Sequence, residues 1–289
     1  MTLIYGDALK IISHLTGKIK ENSINHIITD PPFAINLEKN QPTYNRKKEN
    51  VIGGYIEWDT IKYYNNMLFF LFASSIICKK TANIIIFTSW NNLPIFFEAL
   101  NHKFIRTEYN YQGHIIWKYQ FGMRNNKIIT GHYHIHWLTL TRNKNKKEIV
   151  FNRDCRFPPT SEENKKLSYA DRYSVWEIKK KYKKNQLKYT TELPSELCDK
   201  LIQYFTKEGD IVLDPFAGGG NIGASALKYN RIPLSIEMNY KVIPYMIDNI
   251  YKNKEKNILK DLSEKEIKKY LQKNPILFKH YIKNKEVIK

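Results

Sequence analysis

The chain has 289 residues with 47 Lys and Arg against 28 Asp and Glu, a formal charge of +19, and 42% hydrophobic residues. That length supports one large α/β domain with an insertion, or a core with a small satellite, and the charge surplus favours a polyanionic partner such as nucleic acid. An abundance of Lys, Asn and Ile is also what an AT-rich genome encodes whatever the function. The three cysteines, Cys78, Cys155 and Cys198, show no CxxC spacing, which argues against a zinc ribbon or a disulfide framework and for a reducing compartment. The start, MTLIYGDALK, lacks the pattern of a signal peptide, and the apolar run Asn83 to Trp90 is too short to span a bilayer. The expectation is a soluble, cytoplasmic protein.

Leu3-Ile4-Tyr5 reads as a strand ending at Gly6-Asp7, followed by a helix from about Ala8 to Leu15. His26-Ile27-Ile28-Thr29 is a second strand running into Asp30. Short apolar runs alternating with helical stretches predict a parallel sheet with crossover helices. The polar segment from about Ile35 to Gly54 contains Arg46-Lys47-Lys48 and reads as a loop beside a candidate site. A helix is expected over Tyr63 to Lys80, then a strand at Ile84 to Phe87.

Ile115-Ile116-Trp117 and Ile135 to Leu140 alternate like strands at an antiparallel or mixed sheet edge. From about Asn143 to Lys188 the chain is polar and basic, with runs at Asn143 to Lys147 and Lys179 to Lys184. Such a stretch suits a substrate-recognition insertion or a solvated loop. The α/β pattern then returns with a helix over Pro194 to Phe205 and a strand over Asp210 to Leu213. The glycine turn Gly218-Gly219-Gly220 leads into a helix to about Tyr229, and a strand runs from Ile232 to Ile236, ending at Glu237. Ser263 to Glu266 has capping-box spacing ahead of a helical tail.

Two motifs carry chemistry. In DPFAGGGN, Asp214 to Asn221, glycines let a strand–helix turn tighten and approach a ligand closely. Glu237 follows about twenty residues on at a strand end, where a carboxylate can bind both hydroxyls of a ribose. No P-loop lysine accompanies the turn, and the acidic Asp214 suits a sulfonium better than a pyrophosphate. In TDPPF, Thr29 to Phe33, two prolines stiffen the backbone and remove two N–H donors. Asp30 and the Pro31 carbonyl can each accept one hydrogen of an amine, and Phe33 can stack on its ring. A strand capped by a proline turn is the purely structural alternative.

Asp30-Pro31-Pro32-Phe33 and DPFAGGGN, in that order, resemble the catalytic and cofactor motifs of the β class of DNA adenine-N6 and cytosine-N4 methyltransferases. Gly6-Asp7, Trp58-Asp59, Ile116-Trp117-Lys118 and Val175 to Ile178 extend the resemblance over residues 1 to about 250. It implies a Rossmann-like α/β fold with a mixed, mainly parallel seven-stranded sheet, a circularly permuted motif order and an inserted target-recognition region. The implied division is a catalytic half at 1–142, the insertion at 143–188, a cofactor half at 189–250 and a helical tail at 251–289. It further implies S-adenosylmethionine as cofactor and double-stranded DNA as substrate, with room for a cognate restriction endonuclease and a homodimer. Asp214, Phe216, Gly218 and Gly220 would line the methionine end, Glu237 would take the ribose hydroxyls, and Met238 would flank the adenine. Asp7 would lie near the adenosine, while Asp30, Pro31, Pro32 and Phe33 would form the catalytic motif holding the target base. An acidic first residue of DPPF favours adenine-N6 over cytosine-N4. RNA adenine methylation and a non-enzymatic DNA-binding role are the remaining alternatives.

Departures from the family pattern are specific. Gly219 and Asn221 replace the usual Ser and Thr. Tyr189-Thr190-Thr191-Glu192-Leu193-Pro194 stands where H-P-T-Q-K-P is common, so Thr191 carries over as a cofactor residue. His132, His134 and His136 would share one face of a strand, yet no HExxH or second ligand cluster accompanies them, and no metal is expected.

Overall fold

The structure, a computed structural model, describes residues 2–18, 23–33, 51–52, 57–58, 60–119, 128–179, 188–189, 192–251, 263–273 and 276–279. Arg46-Lys47-Lys48, Asp59, Thr191 and most of the Lys179 to Lys184 run lie outside the described residues. The first half of the chain forms β1 (Thr2–Tyr5), α1 (Ala8–Lys18), β2 (Ile24–Thr29), β3 (Val51–Ile52), α2 (Thr60–Ile77), β4 (Cys78–Thr88), α3 (Leu93–Leu100), β5 (Tyr109–Lys118) and β6 (His132–Leu140). The segment expected to be an insertion supplies α4 (Glu162–Asp171), β7 (Val175–Glu177) and β8 (Lys188–Tyr189). Then come α5 (Ser195–Phe205), β9 (Ile211–Asp214), α6 (Asn221–Lys228), β10 (Ile232–Glu237), α7 (Ile243–Tyr251), α8 (Glu264–Lys273) and β11 (Ile276–Lys279).

One nine-stranded sheet runs in the order β11-β1-β10-β9-β2-β4-β6-β5-β7, and β3 pairs separately with β8. Five of its pairings are parallel and three, β1 with β11, β4 with β6 and β6 with β5, are antiparallel. The expected seven strands are the inner ones; β11 and β7 each cover an edge. An uncovered β1 would present a row of unpaired backbone groups, and β11 covers it from a tail expected to be wholly helical.

The sheet is apolar on both faces, as a parallel sheet flanked by helices must be. Neighbouring residues of one strand serve opposite cores. Ile27, Ile84 and Ile86 pack with residues of α1, α2 and α3, while Ile28, Ile85 and Phe87 pack with residues of α5 and α6. The helix expected over Tyr63 to Lys80 stops at Ile77 instead, and Cys78 to Lys80 open β4. Arg142 donates to the carbonyls of Ser75 and Cys78, closing the helix end with a cation. Ser263 and Glu266 do form a reciprocal cap at α8, with Ser263 N donating to Glu266 Oε2 at 2.8 Å. Among the described residues, no helix is long and apolar enough to cross a membrane.

Asn83 bolts the layers together from the sheet centre. Its Nδ2 donates to the carbonyls of Val150 and Phe205 at 2.8 Å each, and its Oδ1 accepts from Trp137 Nε1 at 2.8 Å. With the side chain fully buried, replacement by Leu strands two carbonyls and an indole N–H away from water. Asn83→Leu should therefore cost roughly 3 kcal/mol or more in urea unfolding. A change below about 1 kcal/mol would contradict this role.

Candidate active site

The crossovers from β2 to β4 and from β9 to β10 leave in opposite directions, so β2 and β9, which are adjacent, flank a crevice beyond their carboxyl ends. Open α/β sheets bind ligands at such a switch point. Register brings the motifs together there. His26 pairs with Val212 and Ile27 with Leu213, setting the end of β2, and hence Asp30, beside Asp214. Thr29 Oγ1 donates to Asp214 Oδ1 at 2.8 Å across the two strands.

Glu237 ends β10 opposite Tyr5 of β1, and Gly6 N donates to the Glu237 carbonyl at 2.9 Å. The Glu237 carboxylate accepts from Gly218 N at 2.7 Å and from Asn239 N at 2.6 Å, which ties the glycine turn to the next strand. Gly218 and Gly220 have φ of +50° and +78°, a left-handed conformation that favours glycine. A Cβ on Gly220 would also meet Met246 Cγ at 2.6 Å.

These elements enclose a cavity of about 380 Å³. Asp7, Asp30, Pro32, Asp214, Phe216, Gly218, Glu237 and Met238 all line it. Pro31, Phe33 and Gly220 do not. Phe33 is buried against Tyr133, with ring centroids 5.3 Å apart, and its carbonyl accepts from Asn92 Nδ2. Gly220 stands behind the turn as the N-cap of α6. Asp7 lines the cavity and also caps α1, its Oδ1 accepting from Leu9 N at 2.9 Å.

The lining contains residues that the motifs did not single out, Glu57, Lys62, Asn66 and Glu192, together with Asn221, noted in the sequence only as a departure from the cofactor motif. Trp58, noted only as a supporting match, packs edge-on to Phe216 at 5.2 Å and shapes the wall between them. For Glu192 a signal existed, since it occupies the Gln position of the family's H-P-T-Q-K-P stretch. Lys62 and Asn66 had only helical i, i+4 spacing. Six carboxylates against one lysine among these lining residues make the cavity acidic inside a strongly basic chain.

The three histidines do share one face of β6, and they are used in packing. His136 accepts or donates at both ring nitrogens, to Thr88 Oγ1 at 2.9 Å and Tyr111 OH at 2.8 Å, and stacks on Phe96 at 4.1 Å. His134 Nδ1 lies 2.8 Å from His114 Nε2. Burial, with neighbouring histidines adding, pushes His134 down to about 4 and His136 to about 2. Among the described residues, no group of three His, Cys, Asp or Glu is placed to hold a metal ion.

The family model described as DNA methylase matches residues 24–250, which includes both motifs and the strands that carry them. The chain belongs to the DNA methylase family. It is 27% identical over 245 residues to the Type II methyltransferase M.HpaI of Haemophilus parainfluenzae, covering 83% of this chain and 71% of that one. It is 27% identical over 263 residues to the DNA adenine methyltransferase YhdJ of Escherichia coli K12, covering 84% and 80%. The solved M1.HpyAVI–SAM complex superposes with a TM-score of 0.60 at 19% identity, over 86% of this chain and 98% of that one.

In this DNA methylase the buried carboxylates are electrostatically costly. Burial pushes Asp214 up to about 7, with Glu237 adding and the bonds from Thr29 and Phe216 N opposing. Burial likewise raises Glu237, against the backbone amides of Asn239, Gly218 and Met238. Between about pH 4 and about pH 7 the folded protein holds a proton on Asp214 that the unfolded chain has released, so stability falls as pH rises through that window. The full effect is on the order of 4 kcal/mol. Asp214→Asn should remove it. The unfolding free energy of the native protein minus that of the variant should drop by several kcal/mol from about pH 4 to about pH 8. A flat difference would mean that Asp214 ionises normally.

Proposed function

We propose that this protein is a site-specific DNA methyltransferase that transfers the methyl group of S-adenosylmethionine to N6 of adenine. The observation that carries this reading is the convergence of Asp30 and the Asp214 to Gly219 turn on one acidic cavity. The donor set fits the cofactor: Glu237 and Asp7 suit ribose hydroxyls and the adenosine, Met238 suits the adenine face, and Asp214, Phe216 and Gly218 suit the methionine end. Gly220 supports the turn from behind, and Thr191 is assigned from the motif alone. Bound S-adenosylmethionine supplies an electrophilic methyl group on a sulfonium.

An exocyclic amine is a poor nucleophile because its lone pair is delocalised into the ring. Asp30, which lines the cavity, accepts one amine hydrogen, and the Pro31 carbonyl, which stands outside the cavity lining, is assigned to the other from the motif alone; two such bonds favour a pyramidal nitrogen and a freer lone pair. Pro31 and Pro32 hold the acceptors rigid, so the amine is aligned before it reacts. Phe33 supports the base side of the site through its packing on Tyr133. The amine sheds its proton after the methyl arrives, so no strongly shifted base is needed. Because N6 is paired within a duplex, the base must leave the stack, at roughly a few kcal/mol. Phosphate contacts from a chain of charge +19 offset that cost.

We assign residues 1–142 and 189–250 to the catalytic and cofactor halves, 143–188 to target recognition and 251–289 to a tail. The acidic Asp30 favours adenine over cytosine, as does the name of YhdJ, a DNA adenine methyltransferase. M.HpaI, named a Type II methyltransferase, supports a restriction–modification setting with a cognate endonuclease. A homodimer and a cytoplasmic location complete the reading. In a radiolabel assay on unmethylated DNA, Asp30→Ala should lower transfer by a factor on the order of 10² to 10³ or more. Its calorimetric affinity for S-adenosylmethionine should stay within about threefold, roughly 0.7 kcal/mol. Retained transfer, or loss of cofactor binding alone, would reverse the assignment.

A further inference from the structure

Tyr63 lies wholly inside the protein near the start of α2. Its ring packs edge-on to Trp58 at 5.5 Å, and Trp58 packs in turn on Phe216 of the cavity wall. The hydroxyl faces two parts of the DPPF turn. The Asp30 charge acts on it, and the buried Asn92 side chain beside it donates to the Phe33 carbonyl. Yet the hydroxyl makes no hydrogen bond of ordinary distance and angle among the described residues. Burial raises its pKa well above the ordinary tyrosine range, with Asn92 opposing and Asp30 adding, so the group stays a neutral O–H donor. A buried hydroxyl without such a bond is costly, and phenylalanine would fill the same space without that cost. Folded proteins keep few groups of this kind, and a reaction site is one place where they are kept.

We propose that Tyr63 is a positioning residue for methyl transfer, its hydroxyl donating to the Asp30 carboxylate once the base is held. The inference rests on the reading above, in which Asp30 accepts one hydrogen of the amine. Hydrogen bonds at reaction sites are commonly long before substrate binds and tighten in the complex. Here the bond fixes one carboxylate oxygen and leaves the other to accept from the amine. It also favours the charged carboxylate, which only accepts, over the protonated acid, which would offer a hydrogen of its own. A hydrogen bond to a charged group is of the stronger class, so it returns the cost of keeping the hydroxyl buried. Asn92 completes the brace. Its side chain stands against the Tyr63 hydroxyl and holds the Phe33 carbonyl, so both ends of the DPPF turn are supported, one from α2 and one from the residue that leads into α3.

The test compares Tyr63→Phe with the unaltered full chain in steady-state transfer onto unmethylated duplex DNA and in urea unfolding. Loss of the hydroxyl should lower kcat by about tenfold or more. KM for DNA and the calorimetric affinity for S-adenosylmethionine should each stay within about twofold, as for an interaction made only during transfer. The urea midpoint should hold or rise, because the variant no longer buries a donor without a bond. On the residual activity of Asp30→Asn, the same substitution should add no further loss, since its effect runs through the Asp30 carboxylate. An unchanged kcat, with or without a lower midpoint, would make Tyr63 a packing residue and overturn the role. A loss just as large on the Asp30→Asn background would overturn it too. If the unaltered protein methylated no DNA, the reading above would fall and this role with it.

Discussion

The hydrogen bond from Thr29 to Asp214 joins two residues 185 positions apart, and the site depends on the strand adjacency that it closes. β2 and β9 are paired at His26 with Val212 and at Ile27 with Leu213. Beyond that short ladder, the buried side-chain bond extends the contact to the ends of the strands. Asp30 leaves one strand end and the glycine turn leaves the other, so the spacing between the two is set by this junction. Burying an acid there is unfavourable, as the raised Asp214 shows. The hydroxyl of Thr29 and the amide of Phe216 recover part of that cost.

Opposed charges on two length scales follow from the same architecture. Over the whole chain, basic residues exceed acidic ones by 19, which draws a polyanion to the surface from a distance. Within the crevice the lining is acidic, which favours a small cation at short range and disfavours free phosphates. The surface and the cavity therefore select different ligands. A protein that brings a nucleic-acid base to a cationic methyl donor needs both selections.

The sequence made the fold legible wherever periodicity was strong. Ile27-Ile28 and Ile84 to Phe87 announced strands buried on both faces, and the glycines at 218–220 announced the turn. Less was legible where a distant partner decides the outcome. The end of α2 depends on Arg142, about 65 residues away, and no local pattern marks it. β11 pairs with β1 across nearly the whole chain, so a tail that reads as helical by capping also yields a strand. In the site, Asp30 and Asp214 were readable because motifs name them, and Glu237 because of its spacing from the glycine turn. Glu192 was readable only as a departure from a motif, since two of its partners, Asn221 and Tyr245, lie far along the chain. Phe33 was expected on a base, and its ring is instead buried against Tyr133, a contact that spacing along the chain does not reveal.

The reaction proposed for this crevice brings an amine acceptor to a methyl donor, and the amine is N6 of adenine. Its most direct test is incubation of the purified protein with unmethylated duplex DNA and S-adenosylmethionine carrying a deuterated methyl group, followed by mass spectrometry of the released nucleosides. The label is expected on N6-methyladenine. Label on N4-methylcytosine, or no labelled nucleoside at all, would contradict it.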